Sequence, residues 1–250
     1  MQGNADPGAW KTYYRRIYPT WWSGRAKSIG WSDYDQILLN AVDATPGTTA
    51  LECGIGTGER YALRLAEQGV HVFGVDLADT LLREGATAAT ARHASVSFQQ
   101  GDLEALPYRD AAFDRVYCFS SLWYVPDLPQ AVREMLRVVR RDGILLFDML
   151  NALHMTPRLA QLATVVKRSL GRSVGPWRPW TPAGIAQVLK SCGATWRVEG
   201  YGVLLPTGLP LVGERMNIGM RWRLTATGLR DSPLRYLGAK LLYVCRPPHA

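Results

Sequence analysis

The chain has 250 residues, 47% of them hydrophobic and 10% aromatic, enough for one sizeable core and too apolar for a disordered or low-complexity protein. The net charge of +8 is uneven: residues 1–154 sum to −3 and residues 155–250 to +11, so an anionic substrate, lipid or nucleic acid would be met at the C-terminal end. No apolar run approaches a membrane span and the first residues lack a signal-peptide pattern, which predicts a cytoplasmic chain.

Residues 1–35 carry Trp10, Tyr13, Tyr14, Tyr18, Trp21, Trp22, Trp31 and Tyr34 without strand alternation. A short helix is expected over 8–17, ended by the Pro19 turn, and a second over 33–43, where Ile37, Leu38 and Val42 recur at helical spacing before Pro46-Gly47. From residue 48 two periodicities alternate. Strands are predicted over 48–53, 70–75, 95–99, 113–119 and 143–150, and helices over 58–68, 77–92 and 127–140. This is the rhythm of βαβ units, a doubly wound α/β fold with a mainly parallel sheet. Beyond 150 come a helix over 155–170, a loop over 171–180, and a helix from Thr181-Pro182 to about Cys192. Strands over 195–204 and 236–246 flank an insert, 205–235, that contains Arg, Met and Trp. Cys53, Cys118, Cys192 and Cys245 form no CxxC pair, and the four histidines lack metal spacing, so neither a disulfide scaffold nor a metal site is expected.

The chemistry concentrates in three strand ends. Leu51-Glu52-Cys53-Gly54-Ile55-Gly56-Thr57-Gly58-Glu59 lies between the first strand and its helix. Its glycines allow a sharp turn and close approach to a ligand, but the spacing is GxGxG, with Glu59 where the dinucleotide fingerprint needs a third glycine. Glu52 would repel a pyrophosphate and accept hydrogen bonds from an ammonium group. Asp76, ending the second strand, can take both hydroxyls of a ribose. Asp102, after the third, can accept from an adenine amine while Leu77 and Leu103 sandwich the ring. S-adenosylmethionine offers an amine, a ribose, an adenine and a sulfonium cation, with no phosphate.

These segments, with Gly101-Asp102-Leu103 and the stretch from Ser120 to Phe147, resemble the class I S-adenosylmethionine-dependent methyltransferases, in the small-molecule, UbiE-like group. The resemblance covers residues 45–150. It implies a Rossmann-like seven-stranded sheet with an antiparallel last strand, and a cofactor site at Gly54, Gly56, Gly58, Asp76 and Asp102. The chain then reads as a single methyltransferase domain: an N-terminal helical and aromatic cap (1–45), a cofactor-binding core (46–150) and a substrate-side half (151–250). Arg141-Asp142-Gly143 replaces the family's usual Pro-Gly-Gly, and Trp123 stands where many relatives have histidine.

Ser120 is expected to line the cofactor through its backbone. Tyr18, Trp22, Trp123, Tyr124 and Trp177 are expected to line the acceptor, and His154 or Tyr14 to serve as base if the acceptor is a phenol or alcohol. The expected reaction is in-line methyl transfer to oxygen or nitrogen of a small, anionic or apolar molecule of bacterial specialised metabolism. The alternative is a lipid or quinone acceptor at the membrane surface, suggested by the basic C-terminal region with Met216, Met220 and Trp222. Arg215, Arg221 and Arg223 would there meet a carboxylate, a phosphate or a headgroup. A nucleic-acid substrate is disfavoured, because no base-methylating motif follows the fourth strand.

Overall fold

The computed structural model describes residues 6–20, 22, 31–171, 174–201 and 233–248. Helix α1 (Pro7–Thr12) begins where the Asp6 carboxylate accepts the N–H groups of Gly8 and Ala9. The single helix expected over 8–17 instead widens after Thr12 into a π-helical turn, Tyr13–Ile17. This turn carries Tyr14 against Tyr124, with ring centroids 4.9 Å apart. Helix α2 (Asp33–Val42) starts with a capping box between Ser32 and Asp35.

Seven strands form one sheet: β1 (Thr49–Cys53), β2 (His71–Asp76), β3 (Val96–Gln100), β4 (Phe113–Cys118), β5 (Val139–Leu150), β6 (Thr195–Tyr201) and β7 (Lys240–Arg246). Their order is β3-β2-β1-β4-β5-β7-β6. Strands β1 to β5 pair in parallel, and β7 runs antiparallel to both its neighbours. The strand–helix rhythm implies the doubly wound, mostly parallel sheet, and the family resemblance implies its seven strands and antiparallel last strand; both are present. Helices α3 (Ala62–Glu67), α4 (Asp79–Ala91), α5 (Leu128–Val138), α6 (Met155–Ser169) and α7 (Pro182–Ser191) lie between these strands in the chain.

Alternation along the strands builds a core on each face. Leu51 and Cys53 pack with Met135 of α5 and Leu189 of α7, while Ala50 and Tyr117 pack with Leu38 of α2 and Leu65 of α3. Chain order reverses between β1 and β4, which opens a crevice at their carboxyl ends, where ligands of open α/β sheets bind.

Three boundaries depart from the sequence expectation. Strand β5 begins at Val139 rather than 143, because Arg140 pairs with Asp114 of β4 across a register shift. Helix α3 begins at Ala62 rather than 58, because 54–61 is spent on the glycine loop. Residues 236–246 are divided between a short 3-10 turn, Pro233–Leu237, and β7. Most of the 205–235 insert, with Arg215, Met216, Met220, Arg221, Trp222 and Arg223, lies outside the described residues, as does Trp21.

The glycine loop rests on Gly74 of β2, where a Cβ would lie 2.0 Å from Ile55 Cδ1 and 2.9 Å from Ile55 Cβ. Gly74→Ala should therefore push Ile55 and its loop outward and destabilise the fold by ~1–3 kcal/mol, as overpacking does. Urea unfolding would show this as a lower midpoint at unchanged slope.

Candidate active site

A cavity of about 550 Å³ lies at the carboxyl ends of the strands, walled by Glu52, Gly54 and Gly56 of the first turn, Asp76 of β2, and Phe119 and Ser120 after β4. Its opposite wall is aromatic: Tyr14, Tyr18 and Trp22 from the cap, Tyr34 from α2, Tyr124 and Trp177. Such a space, apolar with a few convergent polar groups, is the usual form of a small-molecule site.

The glycine loop reaches the cavity because two conditions hold. Gly54 has φ +74°, and a Cβ there would lie 2.6 Å from Ser121 Oγ. Asp76 then ties the loop to β2, its Oδ2 accepting the N–H of Gly56 and its Oδ1 that of Ala78, both at 2.9 Å. Burial raises the Asp76 carboxyl above its ordinary value against those backbone donors. Glu52 is 4% exposed and accepts from Tyr117 Oη at 3.1 Å. Burial pushes its carboxyl up to about 8. Neither carboxylate has an ion-pair partner among the described residues, so the cavity holds two desolvated acids without a counter-charge. Arg60, also on the wall, is committed to Asp35 through Nε and Nη2, each at 2.7 Å. The donor set therefore fits an amine-bearing, hydroxylated cation and disfavours a pyrophosphate.

A second polar group lies across the cavity. Asp148, fully buried on β5, accepts from Ser120 N at 2.5 Å, Tyr34 Oη at 3.0 Å and Lys240 Nζ at 3.2 Å. The Lys240 ammonium also donates to Ser120 Oγ at 3.2 Å and lies 4.8 Å from the centre of the Tyr34 ring. Tyr34, Ser120 and Lys240 all line the cavity. Sequence reasoning missed this cluster. Its one local signal is an acid, Asp148, inside the apolar run Ile144–Leu150.

Of the expected cofactor residues, Glu52, Gly54, Gly56, Asp76, Leu77, Leu103 and Ser120 meet at the cavity, as do the expected acceptor residues Tyr18, Trp22, Tyr124 and Trp177. Five expected residues are placed differently. Asp102 is not in the wall: its Oδ2 pairs with Lys11 Nζ at 2.7 Å and its Oδ1 accepts from Glu104 N, so α1 supplies the partner expected from an adenine. Gly58 shapes the loop at φ +68° without reaching the cavity. Trp123 is buried in the core with its ring 5.1 Å from Lys240 Nζ, one layer behind the wall. His154 caps α6, its Nδ1 accepting the N–H of Thr156, and is not among the lining residues. Tyr14 does line the cavity, but its hydroxyl donates to Pro176 O and burial holds the phenol well above its ordinary value. Neither residue suits the role of general base.

Lys11 pairs with Glu104 as well as Asp102, and the Trp10 indole donates to Tyr124 O at 2.7 Å, so α1 is fastened over the site by three contacts. Lys11→Ala should speed release of a bound nucleoside several-fold while the melting temperature changes little, since part-exposed pairs contribute little to stability. Stopped-flow release at low and high salt would check it. Salt should accelerate the wild type and leave the variant unmoved.

A model of the methyltransferase domain family matches residues 51–147. The malonyl-(acyl-carrier protein) O-methyltransferase of Serratia marcescens is 39% identical over 123 residues, 48% of this chain and 45% of that protein. The chain thus spans about half the length of that relative. The demethylmenaquinone methyltransferase of Beutenbergia cavernae is 31% identical over 180 residues, 65% of this chain and 71% of that protein. Among solved structures, magnesium protoporphyrin IX methyltransferase from Synechocystis, determined with bound SAH, superposes with a TM-score of 0.63 at 15% identity, over 97% of this chain and 100% of that one. At that identity the likeness is one of fold.

Proposed function

The chain belongs to the class I S-adenosylmethionine-dependent methyltransferases, and from that premise we propose that it methylates an ionised oxygen of a small aromatic or apolar acceptor. The observation that carries this reading is the Lys240 ammonium on the cavity wall, bonded to Ser120 and Asp148. Asp148 balances its charge, but an ammonium has three N–H donors and Asp148 and Ser120 take two, so the third can serve an anionic carboxylate or phenolate oxygen, whereas an amine acceptor could not use it. When bound, the cofactor supplies a methyl carbon already activated by its sulfonium. Glu52 is assigned to its amine and Asp76 to its ribose, with Leu77 and Leu103 against the adenine.

The rest of the chemistry falls to positioning. The tyrosines at the wall stay protonated, since burial raises Tyr14, Tyr18 and Tyr34 alike. An acceptor that binds as its anion needs no base, and the ring walls hold it while excluding water. Bacterial relatives and an aromatic-walled cavity support a bacterial metabolite as acceptor, met in the cytoplasm; among the described residues no helix is long and apolar enough to cross a membrane.

The test is transfer from methyl-tritiated cofactor to panels of carboxylates, phenols and amines, followed by mild base to separate esters from ethers. Labelling confined to amines would overturn the reading. With an oxygen acceptor, Lys240→Met should lose at least ~10-fold in kcat/KM at nearly unchanged cofactor affinity, and Lys240→Arg should recover most of it. Because Lys240→Met leaves the buried Asp148 unpaired, the double variant Lys240→Met/Asp148→Asn controls for folding.

A further inference from the structure

We propose that α6 docks the protein onto an anionic lipid surface, lying in the plane of the headgroups with the cavity mouth beside it. The helix has two unlike faces. Thr156, Pro157 and Ala160 line the cavity, and Thr164 Oγ1 accepts from the Trp177 indole at 3.2 Å. Met155, Leu159, Leu162 and Val166 recur at i, i+4, i+7 and i+11 on the opposite side, 58%, 50%, 62% and 50% exposed. Leu170, at the C-terminal cap, continues that stripe at 71% exposure, and Pro157 is the helix's only buried residue. A soluble surface has no use for five large apolar side chains in one row.

Charge identifies the occupant. Between Asp148 and Glu199 the sequence contains no acid and seven Lys or Arg residues. Three of these lie on α6 itself: helical spacing puts Arg158 and Lys167 beside the stripe, while Arg168 falls on the other face, where its Nε donates to Val174 O. An apolar stripe on a helix whose only charges are cations is the pattern of a helix held at the interface of a bilayer containing anionic lipid. A protein partner would more often supply a mixed polar rim. At 15 residues α6 is too short to span the hydrocarbon, so it lies in the interface. In that pose an apolar acceptor reaches the cavity past α6 without crossing water.

The proposal goes beyond the oxygen-acceptor reading and is tested without turnover, so either can fail alone. The full chain is sedimented with phosphatidylcholine vesicles with and without ~30% phosphatidylglycerol. At least ~10-fold stronger partitioning onto the anionic vesicles is expected, reduced by salt and lost in Leu159→Glu/Leu162→Glu at an unchanged melting temperature. A fluorophore on Leu162→Cys should shift to the blue on the same vesicles, which reads insertion with the stripe otherwise intact. Failure to sediment overturns the proposal. So does sedimentation indifferent to the Leu159→Glu/Leu162→Glu change, which would place the contact on basic charge elsewhere. A large fall in melting temperature or a change of oligomeric state in that variant overturns it too. Either result would show the stripe covered by residues 202–232 or by a second copy of the chain.

Discussion

Asp76→Ala is expected to weaken S-adenosylmethionine and S-adenosylhomocysteine binding by at least ~100-fold, about 3 kcal/mol. Two losses combine. The carboxylate assigned to the ribose hydroxyls disappears, and so do the acceptors of the Gly56 and Ala78 N–H groups, which would be left without partners beside the cavity. Asp76→Asn separates these losses. Its one carbonyl oxygen can serve a single backbone donor, and its amide is a poor acceptor for two ribose hydroxyls, so its affinity should fall between the other two. Calorimetric titration of both ligands into all three proteins is the measurement, with thermal melting of the ligand-free forms to confirm folding. If Asp76→Asn bound within ~2-fold of wild type, Asp76 would be a loop fastener and the ribose would be held elsewhere. The product ligand belongs in the experiment because it keeps the amine and lacks the sulfonium charge: Asp76, assigned to the neutral ribose, should matter equally to both, whereas Glu52 should matter more to S-adenosylmethionine if it also feels the sulfonium.

What the sequence made legible, and what it did not, divides by range. Leu51–Glu59 and Gly74-Val75-Asp76 are local patterns in which strand, turn glycine and terminal acid lie within a few residues, and the structure brings Glu52, Gly54, Gly56 and Asp76 to one cavity. Asp102 has the same local appearance. It is placed differently because its partner, Lys11, comes from a helix at the other end of the domain, and no local pattern reports that pairing. The Tyr34–Asp148–Lys240 cluster was illegible for the same reason: it joins α2, β5 and β7, and only the insertion of β7 between β5 and β6 puts Lys240 over Asp148. His154 and Tyr14 were read by residue type, as bases able to stand near a pocket. The structure uses one as a helix cap and the other as a buried donor. Strand ends are thus readable in a doubly wound fold, because the ligand site is set by topology. The acceptor side is assembled from long-range contacts and must be seen.

Glu52→Gln is expected to make the ligand-free protein more stable at pH 8 and the cofactor complex weaker. Burial pushes the Glu52 carboxyl up to about 8, from an ordinary value of 4.5 that the unfolded chain would keep. The folded state therefore holds a proton that the unfolded state releases between those two values. Stability from this group is greatest below pH 4.5 and is lost as pH rises towards 8, a change on the order of 3–5 kcal/mol for a carboxyl 4% exposed. Glutamine removes this dependence, since its amide oxygen can still accept from Tyr117 and it has no charge to bury. Ligand binding reverses the sign. The amine and sulfonium bring positive charge to the cavity, favour the ionised carboxylate and so expel the proton. Near pH 7 wild-type Glu52 should release up to about one proton per cofactor bound, with affinity rising as pH approaches 8 and level above it. Titration at pH 7 in phosphate and in Tris reads the release as a difference in heat, because the two buffers take up a proton with different enthalpies. The difference should vanish in Glu52→Gln along with much of the affinity. Equal heats for the wild type in both buffers would mean that Glu52 does not change its charge on binding and that the amine finds its acceptor elsewhere on the wall. With the expected result, one side chain carries a trade between fold and function: the acid that weakens the empty protein above neutral pH holds the charged end of the cofactor.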